Sequence, residues 1–377
     1  MHDLLMGAPS ARLAVLKDWW ERTDRTLLAL FGALVLIGIV LCTAAGPVAA
    51  MRKGIDNPFH FVERQLVFVI PAMLVMFGAS LLSLDQVRRA GILIGAGALL
   101  LLFATLIIGP EIKGSTRWLT FGGVSLQPSE FFKPGFAVVT AWLLAEQYRD
   151  QRFPGGGISL GLYLIAVVVL IFQPDYGQLL LLTAMWGTIF FVAGWSWAWI
   201  AGLGGFVGGI LLFGYRFAPH FKSRIDRFLS PDTGDTYQVD TALGAISGGG
   251  LIGHDFANNP SVKTHLPDAH TDFIFAVAGE EFGFLLCLIV LGIFCAIAMR
   301  CLYHAARAQS LFVRCAIVGL AAQLTFQALV NIGVTLGVLP AKGMTLPFIS
   351  YGGSSLIAAA LTAGLLLALT RRQEPLS

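Results

Sequence analysis

Ten apolar runs divide this chain, at roughly residues 27–45, 62–82, 90–109, 131–146, 158–172, 178–194, 198–216, 273–299, 311–338 and 346–370. Each approaches or exceeds the ~20 residues that carry a helix across a ~30 Å hydrocarbon core. Inside a bilayer a chain must satisfy its own backbone hydrogen bonds, which leaves helices or closed barrels. Runs of this length select helices. The charged fraction is only 12%, about half that of a soluble domain, so no separate soluble domain is left over. The expected fold is an all-α polytopic integral membrane protein with about ten transmembrane helices and one large extracytoplasmic loop, 217–271. A short segment (1–26) and a tail (371–377) flank a single membrane domain, 27–370. The fifth and sixth runs are short and could form a re-entrant pair; dropping both leaves the sidedness unchanged. Residues 1–26 are polar and basic and lead into a run long enough to span, so no cleavable signal peptide is expected.

Basic residues set the sidedness. With the N-terminus inside, the inner segments hold Arg12, Lys17, Arg22, Arg25, Arg88, Arg89, Arg149, Arg152, Arg300, Arg307, Arg314, Arg371 and Arg372. The short outer loops hold only Arg52, Lys53, Arg64, Lys113, Arg117, Lys133 and Lys342. The bias places both termini in the cytoplasm. Trp195, Trp197 and Trp199 then sit at an inner turn as interface anchors. The five cysteines have no CxxC spacing and lie in or beside apolar runs, as small buried side chains do. The small net charge of +3 points to no nucleic acid.

This topology gathers the polar chemistry on the outer face. The sharpest stretch is LPDAHTDFIFAVAGEEFG, Leu266–Gly283. It sets Asp268, His270 and Asp272 against an apolar run that also carries Glu280 and Glu281. Acids in a membrane helix cost a few kcal/mol, roughly 2.5–3.5 at the centre, and are usually functional. A carboxylate at a water–membrane boundary can take a proton from a sugar hydroxyl. It can also hold a hard divalent cation, Mg or Mn, against a pyrophosphate. The blander reading is that Asp272 caps the following helix. With His254 and His265 the cluster tempts a zinc assignment, but its spacing matches no compact zinc motif.

Four further stretches join it. In EIKGSTRWLTFGGVSLQPSEFFK, 111–133, irregular apolar spacing suits a segment lying along the interface, and Pro128–Glu130 suits a helix start. Its Lys113, Arg117 and Lys133 could bind phosphate, or merely snorkel. In QPDYGQ, 173–178, Asp175 either coordinates a cation or, as favoured, holds a loop. The middle of the long loop, YQVDTALGAISGGGLIGHDF, reads as a partly inserted helical hairpin whose glycines could admit an anion. In LPAKGMTLPFISYGGSS, 339–355, Lys342 is a plausible phosphate contact. Ser354 and Ser355 have no triad partner, so a serine hydrolase is not expected; their small size suits close helix packing.

Taken together and in this order, these motifs resemble the SEDS (shape, elongation, division and sporulation) family of bacterial membrane proteins over nearly the whole chain. AKGMTLPFISYGGSS, with Lys342–Gly343 and Thr345–Leu346–Pro347, is similar to the division form rather than the elongation form. The resemblance implies a peptidoglycan glycosyltransferase that polymerises lipid II on the outer face of the bacterial cytoplasmic membrane, at the division septum. It implies a class B penicillin-binding transpeptidase of the FtsI type as partner, with other divisome membrane proteins. It also makes Asp272 the essential acid, and Lys342, Arg117 and Lys133 basic positions of the family's motifs. Asp268, His270 and Ser354 complete the set expected near substrate. Where the family has Pro-Glu this chain has Pro267–Asp268, which keeps the charge and shortens the reach. A divalent cation is the one cofactor in view; no organic cofactor is expected. A lipid II flippase is the competing reading, since broken helices with intramembrane charges are transporter features; but no repeat relates 27–194 to 198–370. A non-catalytic division scaffold would need no outer acid cluster.

Overall fold

The computed structural model describes residues 9–371, except 113, 123, 218–221, 224, 227–236, 254–265, 267, 341 and 342. Its helices are α1 (Pro9–Arg22), α2 (Arg25–Arg52), α3 (His60–Ser80), α4 (Leu84–Ile108), α5 (Pro128–Arg149), α6 (Gly155–Phe172), α7 (Tyr176–Val192), α8 (Trp197–Phe217), α9 (Tyr237–Gly248), α10 (Ile274–Arg307), α11 (Leu311–Thr335) and α12 (Gly353–Thr370). The ten apolar runs correspond to α2–α8 and α10–α12. Eight of these ten helices are long and apolar enough to cross a membrane among the described residues. The other two are α5, whose buried residues include Glu130 and Lys133, and α7, which is apolar but only 17 residues long.

The short pair α6 and α7 is not re-entrant. The first turn of α6 takes a bond from Gly156 N–H to Gln147 near the end of α5, and Gln173 just past its last residue donates to Thr105 near the end of α4. Those two helix ends lie on opposite faces, because α4 and α5 are consecutive antiparallel helices. The pair therefore runs the full depth of the bundle. Both described ends of the chain meet one face: Trp19 donates to Ser80, and Arg371 to the carbonyl of Leu82. On that face Asp24 caps α2 through Leu27 N–H and binds Arg300 at 2.7 Å and His304 at 2.5 Å.

Small residues let the helices close up, as expected where lipid offers no hydrophobic drive between them. A Cβ on Gly135 in α5 would lie 2.5 Å from the Gly95 nitrogen and 2.7 Å from its Cα in α4. Inside, α11 and α12 are sheathed by the rest: 78% of each spanning window is buried, against 28% for α3, α4 and α10.

Three local features depart from the sequence reading. The 111–127 segment contains a short antiparallel hairpin, β1 (Leu119–Phe121) with β2 (Val124–Leu126). The last apolar run does not start a helix at 346; Leu346–Tyr351 form turns, and α12 begins only at Gly353. Within α10 the helix breaks at Gly283, whose φ of +76° only glycine adopts readily. There the chain takes backbone bonds from the segment after α9: Phe284 N–H to Gly250 O at 2.9 Å and Leu285 N–H to Leu251 O at 3.1 Å.

Gly135→Val should destabilise the protein by ~1–3 kcal/mol through overpacking. Gly97→Val, in the same helix pair but with open space at the Cβ, should cost far less. Thermal unfolding in detergent reads the difference.

Candidate active site

Asp272 is delivered by a tight turn. Asp268 sits at φ +52°, and its carbonyl accepts N–H bonds from Thr271 at 3.0 Å and Asp272 at 3.1 Å, and the Thr271 hydroxyl at 3.1 Å. Leu266, Ala269 and Phe273 are buried beneath. The carbonyls of residues 270–272 are each taken by another part of the chain. His270 O accepts Tyr351 N–H at 2.9 Å, Thr271 O accepts the Ser350 hydroxyl at 2.5 Å, and Asp272 O accepts the Asn331 amide at 2.8 Å. The second Asn331 bond goes to Met344 O at 2.6 Å. Ser350 Oγ also accepts Leu346 N–H at 2.8 Å. The two most distinctive motifs are thereby laced into one unit, with the Asp272 side chain half-buried at its edge. A Cβ on Gly343 would lie 2.9 Å from Asp272 Oδ2, so glycine there leaves room for the carboxylate. Lys342, the neighbour of Gly343 in sequence, lies outside the described residues, as do His254 and His265. Asp272 does not hold the cap position of α10; Phe273 does, with no side-chain cap bond.

A buried polar chain supports this unit from below. Gln327, one turn before Asn331 on α11, donates to Thr345 O at 3.1 Å and accepts from Lys133 Nζ at 2.8 Å. Lys133 also pairs with Glu130 at 2.8 Å. Gln178 Nε2 donates to the other Glu130 oxygen at 2.7 Å, and its N–H reaches Asp175, which lies 3.6 Å from Arg117. Four motif stretches and α11 thus share one network. A buried ion pair is sustainable only when its remaining lone pairs and protons are used, and the two glutamines do that here. Lys133 is 2% exposed with its ammonium engaged, so the structure places it under the 345 loop rather than on an open face. Arg117, with 17% of its side chain exposed, keeps access while holding Asp175.

His270 also faces inward. Its ring lies 4.5 Å from Phe61 and 5.6 Å from Tyr351, and its Nδ1 is buried without a partner. Burial, reinforced by Lys53, lowers its pKa to about 4 and keeps the ring neutral at pH 7. Ser354 is buried in the first turn of α12, beside Gly353, whose missing Cβ admits Phe68. The loop glycines pack rather than cradle: Gly249 and Gly253 meet the backbone of Gly279 and Glu281 in α10, and Glu280 is buried there.

The signal missed in the sequence is a polar stripe on α11. Gln323, Gln327, Asn331 and Thr335 recur every four residues in an apolar run and are all buried. That spacing puts them on one helix face. In lipid such a face turns inward.

Among the described residues no three His, Cys, Asp or Glu side chains cluster as a metal cage. The donor set fits a hard cation only if substrate phosphates supply most ligands, with Asp272 as the protein oxygen; such a site suits Mg.

Asn331→Ala should leave the Asp272 and Met344 carbonyls without their bonds and cost ~1–3 kcal/mol, read as a lower midpoint of thermal unfolding. His270 makes the fold acid-sensitive. Its folded pKa lies below the unfolded 6.5, so the unfolded state gains the proton first. Stability should fall between pH 6.5 and about 4, by on the order of 3 kcal/mol, and then level. His270→Gln should flatten that slope in unfolding measured across the range.

Comparison with known proteins places this geometry. The profile of a family described as cell cycle protein, FtsW/RodA/SpoVE, matches residues 24–374. A Caulobacter vibrioides protein named probable peptidoglycan glycosyltransferase FtsW is 44% identical over 94% of this chain and 91% of its own length. One of the same name from Geobacter metallireducens is 34% identical over 94% and 96%. A chain from the structure "Structural coordination of polymerization and crosslinking by a peptidoglycan synthase complex" superposes with a TM-score of 0.76 at 29% identity, covering 92% of this chain and 97% of that one. The crystal structure of Thermus thermophilus rod shape determining protein RodA gives 0.69 at 28% identity, over 93% and 98%. Matched over more than nine-tenths of its length in both sequence and fold, the chain belongs to the FtsW/RodA/SpoVE family of cell cycle proteins.

Proposed function

We propose that this chain is a peptidoglycan glycosyltransferase of cell division, which polymerises lipid II with Asp272 as general base. The observation that carries the role of Asp272 is its setting. Its backbone is held through three successive carbonyls, while its carboxylate stays half-exposed at the edge of the unit. A base so held is oriented before substrate arrives, which is where much of the rate of a bimolecular transfer originates.

In the reaction the Asp272 carboxylate takes the proton of the acceptor's GlcNAc 4-hydroxyl. That oxygen bonds to the anomeric carbon of the donor's MurNAc. The bond from that carbon to the pyrophosphate oxygen breaks, the undecaprenyl pyrophosphate leaves as an anion, and the configuration inverts. The leaving group needs no strong acid, so a second catalytic carboxylate is unnecessary. Charge builds on the pyrophosphate, where Arg117 and Lys342 are the cationic candidates. Lys133 acts from beneath, by fixing Gln327 and hence the 345 loop. Asp268 shapes the turn through its carbonyl, and His270 and Ser354 pack it. A divalent cation at Asp272 would neutralise pyrophosphate charge when bound.

The site faces the outside in this reading. The basic residues of the opposite face support that orientation, with both termini in the cytoplasm; the septum is the location proposed for a division enzyme. A class B penicillin-binding transpeptidase is the proposed partner. The likeness to a chain of a complex that couples polymerization and crosslinking supports it. The flippase reading has no comparable observation behind it, and the fixed backbone around Asp272 favours chemistry over transport.

Purified protein with its cognate transpeptidase should make glycan strands from lipid II. Asp272→Asn should reduce the rate by roughly 10²–10⁴-fold while the variant stays folded and partner-bound. Strand synthesis by the variant at the wild-type rate would remove Asp272 from the chemistry. Lipid II translocation without polymerisation by the wild type would favour a flippase.

A further inference from the structure

On the face opposite Asp272, the start of α4, the ends of α5 and α7 and the turn between α10 and α11 surround a cavity of about 600 Å³. Three guanidiniums line it: Arg88, Arg149 and Arg314. Two have acids beside them. Arg88 lies 3.2 Å from Asp85, and Arg149 lies 2.5 Å from Glu146. Arg314 has no carboxylate within ion-pair distance among the described residues. Its Nη2 donates to Ala308 O at 3.1 Å, and its Nε is buried without a partner. Three cations and two anions leave the cavity one positive charge in surplus.

The remaining walls are those of a membrane boundary. Trp142 carries the Arg88 guanidinium over its ring at 5.8 Å, and Tyr148 stands exposed beside it. Leu84, Val192, Leu311 and Phe312 complete an apolar side. Aromatic residues at helix ends mark the headgroup level. Basic pockets between helices at that level take anionic headgroups.

We infer that this cavity is a binding site for the phosphodiester headgroup of a monoanionic phospholipid, seated by Arg314 with Arg88 and Arg149. One surplus cation matches one phosphodiester charge. An arginine fork suits phosphate oxygens better than a lysine would, and the apolar wall accepts the glycerol and first methylenes. The lipid ties together the end of α5 and the start of α11, the two helices that carry Lys133 and Asn331 to the other face. Binding to the folded state raises its stability.

The test uses the full chain in a non-ionic detergent, with native mass spectrometry and thermal unfolding. The probes are phosphatidylglycerol, phosphatidylcholine and inorganic phosphate. Wild type should retain phosphatidylglycerol about tenfold more tightly than phosphatidylcholine and unfold at a higher temperature with it. Arg314→Gln should abolish that preference. Arg307→Gln removes the same charge from an exposed position on the same face, outside the cavity, and should keep it. Glu146→Gln frees Arg149 and should tighten binding, an arm that misfolding does not mimic. Three results would each overturn the site. Equal losses in Arg314→Gln and Arg307→Gln would mean surface charge alone, and equal retention of both lipids would mean no headgroup recognition. Displacement of the lipid by inorganic phosphate at matched concentration would mean a site for a soluble anion.

Discussion

One buried amide holds the candidate site together. Asn331 is 1% exposed, and its two N–H bonds run to Asp272 O and Met344 O. Those carbonyls belong to segments more than seventy residues apart, and neither lies within a helix that would satisfy it. Surrounded by protein and lipid, an unpaired carbonyl costs free energy that water cannot offset. The amide removes that cost for both segments at once, so each loop is stable only in the presence of the other and of α11.

The same logic extends along α11. Gln327 stands one turn below Asn331 and serves Thr345 on one side and Lys133 on the other. Lys133 in turn stabilises Glu130, which Gln178 completes. Removing a single member would strand a charge or a dipole in a dry interior, so the network behaves as one element. Its members are engaged with each other, which leaves them little capacity for a substrate. In the proposed mechanism the chemistry falls instead to the groups at its edge, Asp272 and Arg117, whose side chains keep some access while the network lies beneath them.

Close approach of helices makes such a network possible. Gly135 brings α5 onto α4, and Gly319 of α11 leaves room for Ile189 of α7, where a Cβ would lie 2.6 Å from that side chain. Glycine at Gly283 breaks α10 so that Phe284 and Leu285 can donate backbone bonds to the segment after α9. Packing of this kind rests on van der Waals contact, because lipid supplies no hydrophobic drive between helices. Polar bonds then decide which helices meet.

Much of this was legible in the sequence. Apolar run length located ten helices, eight of them long and apolar enough to cross a membrane among the described residues, since the bilayer thickness is fixed and each helix rises by a constant amount per residue. The spacing of the motifs between those runs put them on one face, and the cost of acids beside a membrane helix singled out the Leu266–Gly283 stretch, within which the family resemblance pointed to Asp272. These are one-dimensional properties. The tertiary structure decided what depends on partners distant in the chain. It buried Lys133 against Gln327 and His270 against Phe61 and Tyr351, where the sequence suggested ligands for a phosphate or sugar. It delayed α12 to Gly353, because the carbonyls of Thr271 and His270 take their bonds from Ser350 and Tyr351. Local pattern says that a polar group in an apolar run must find a partner; only the folded arrangement of the other helices says which one.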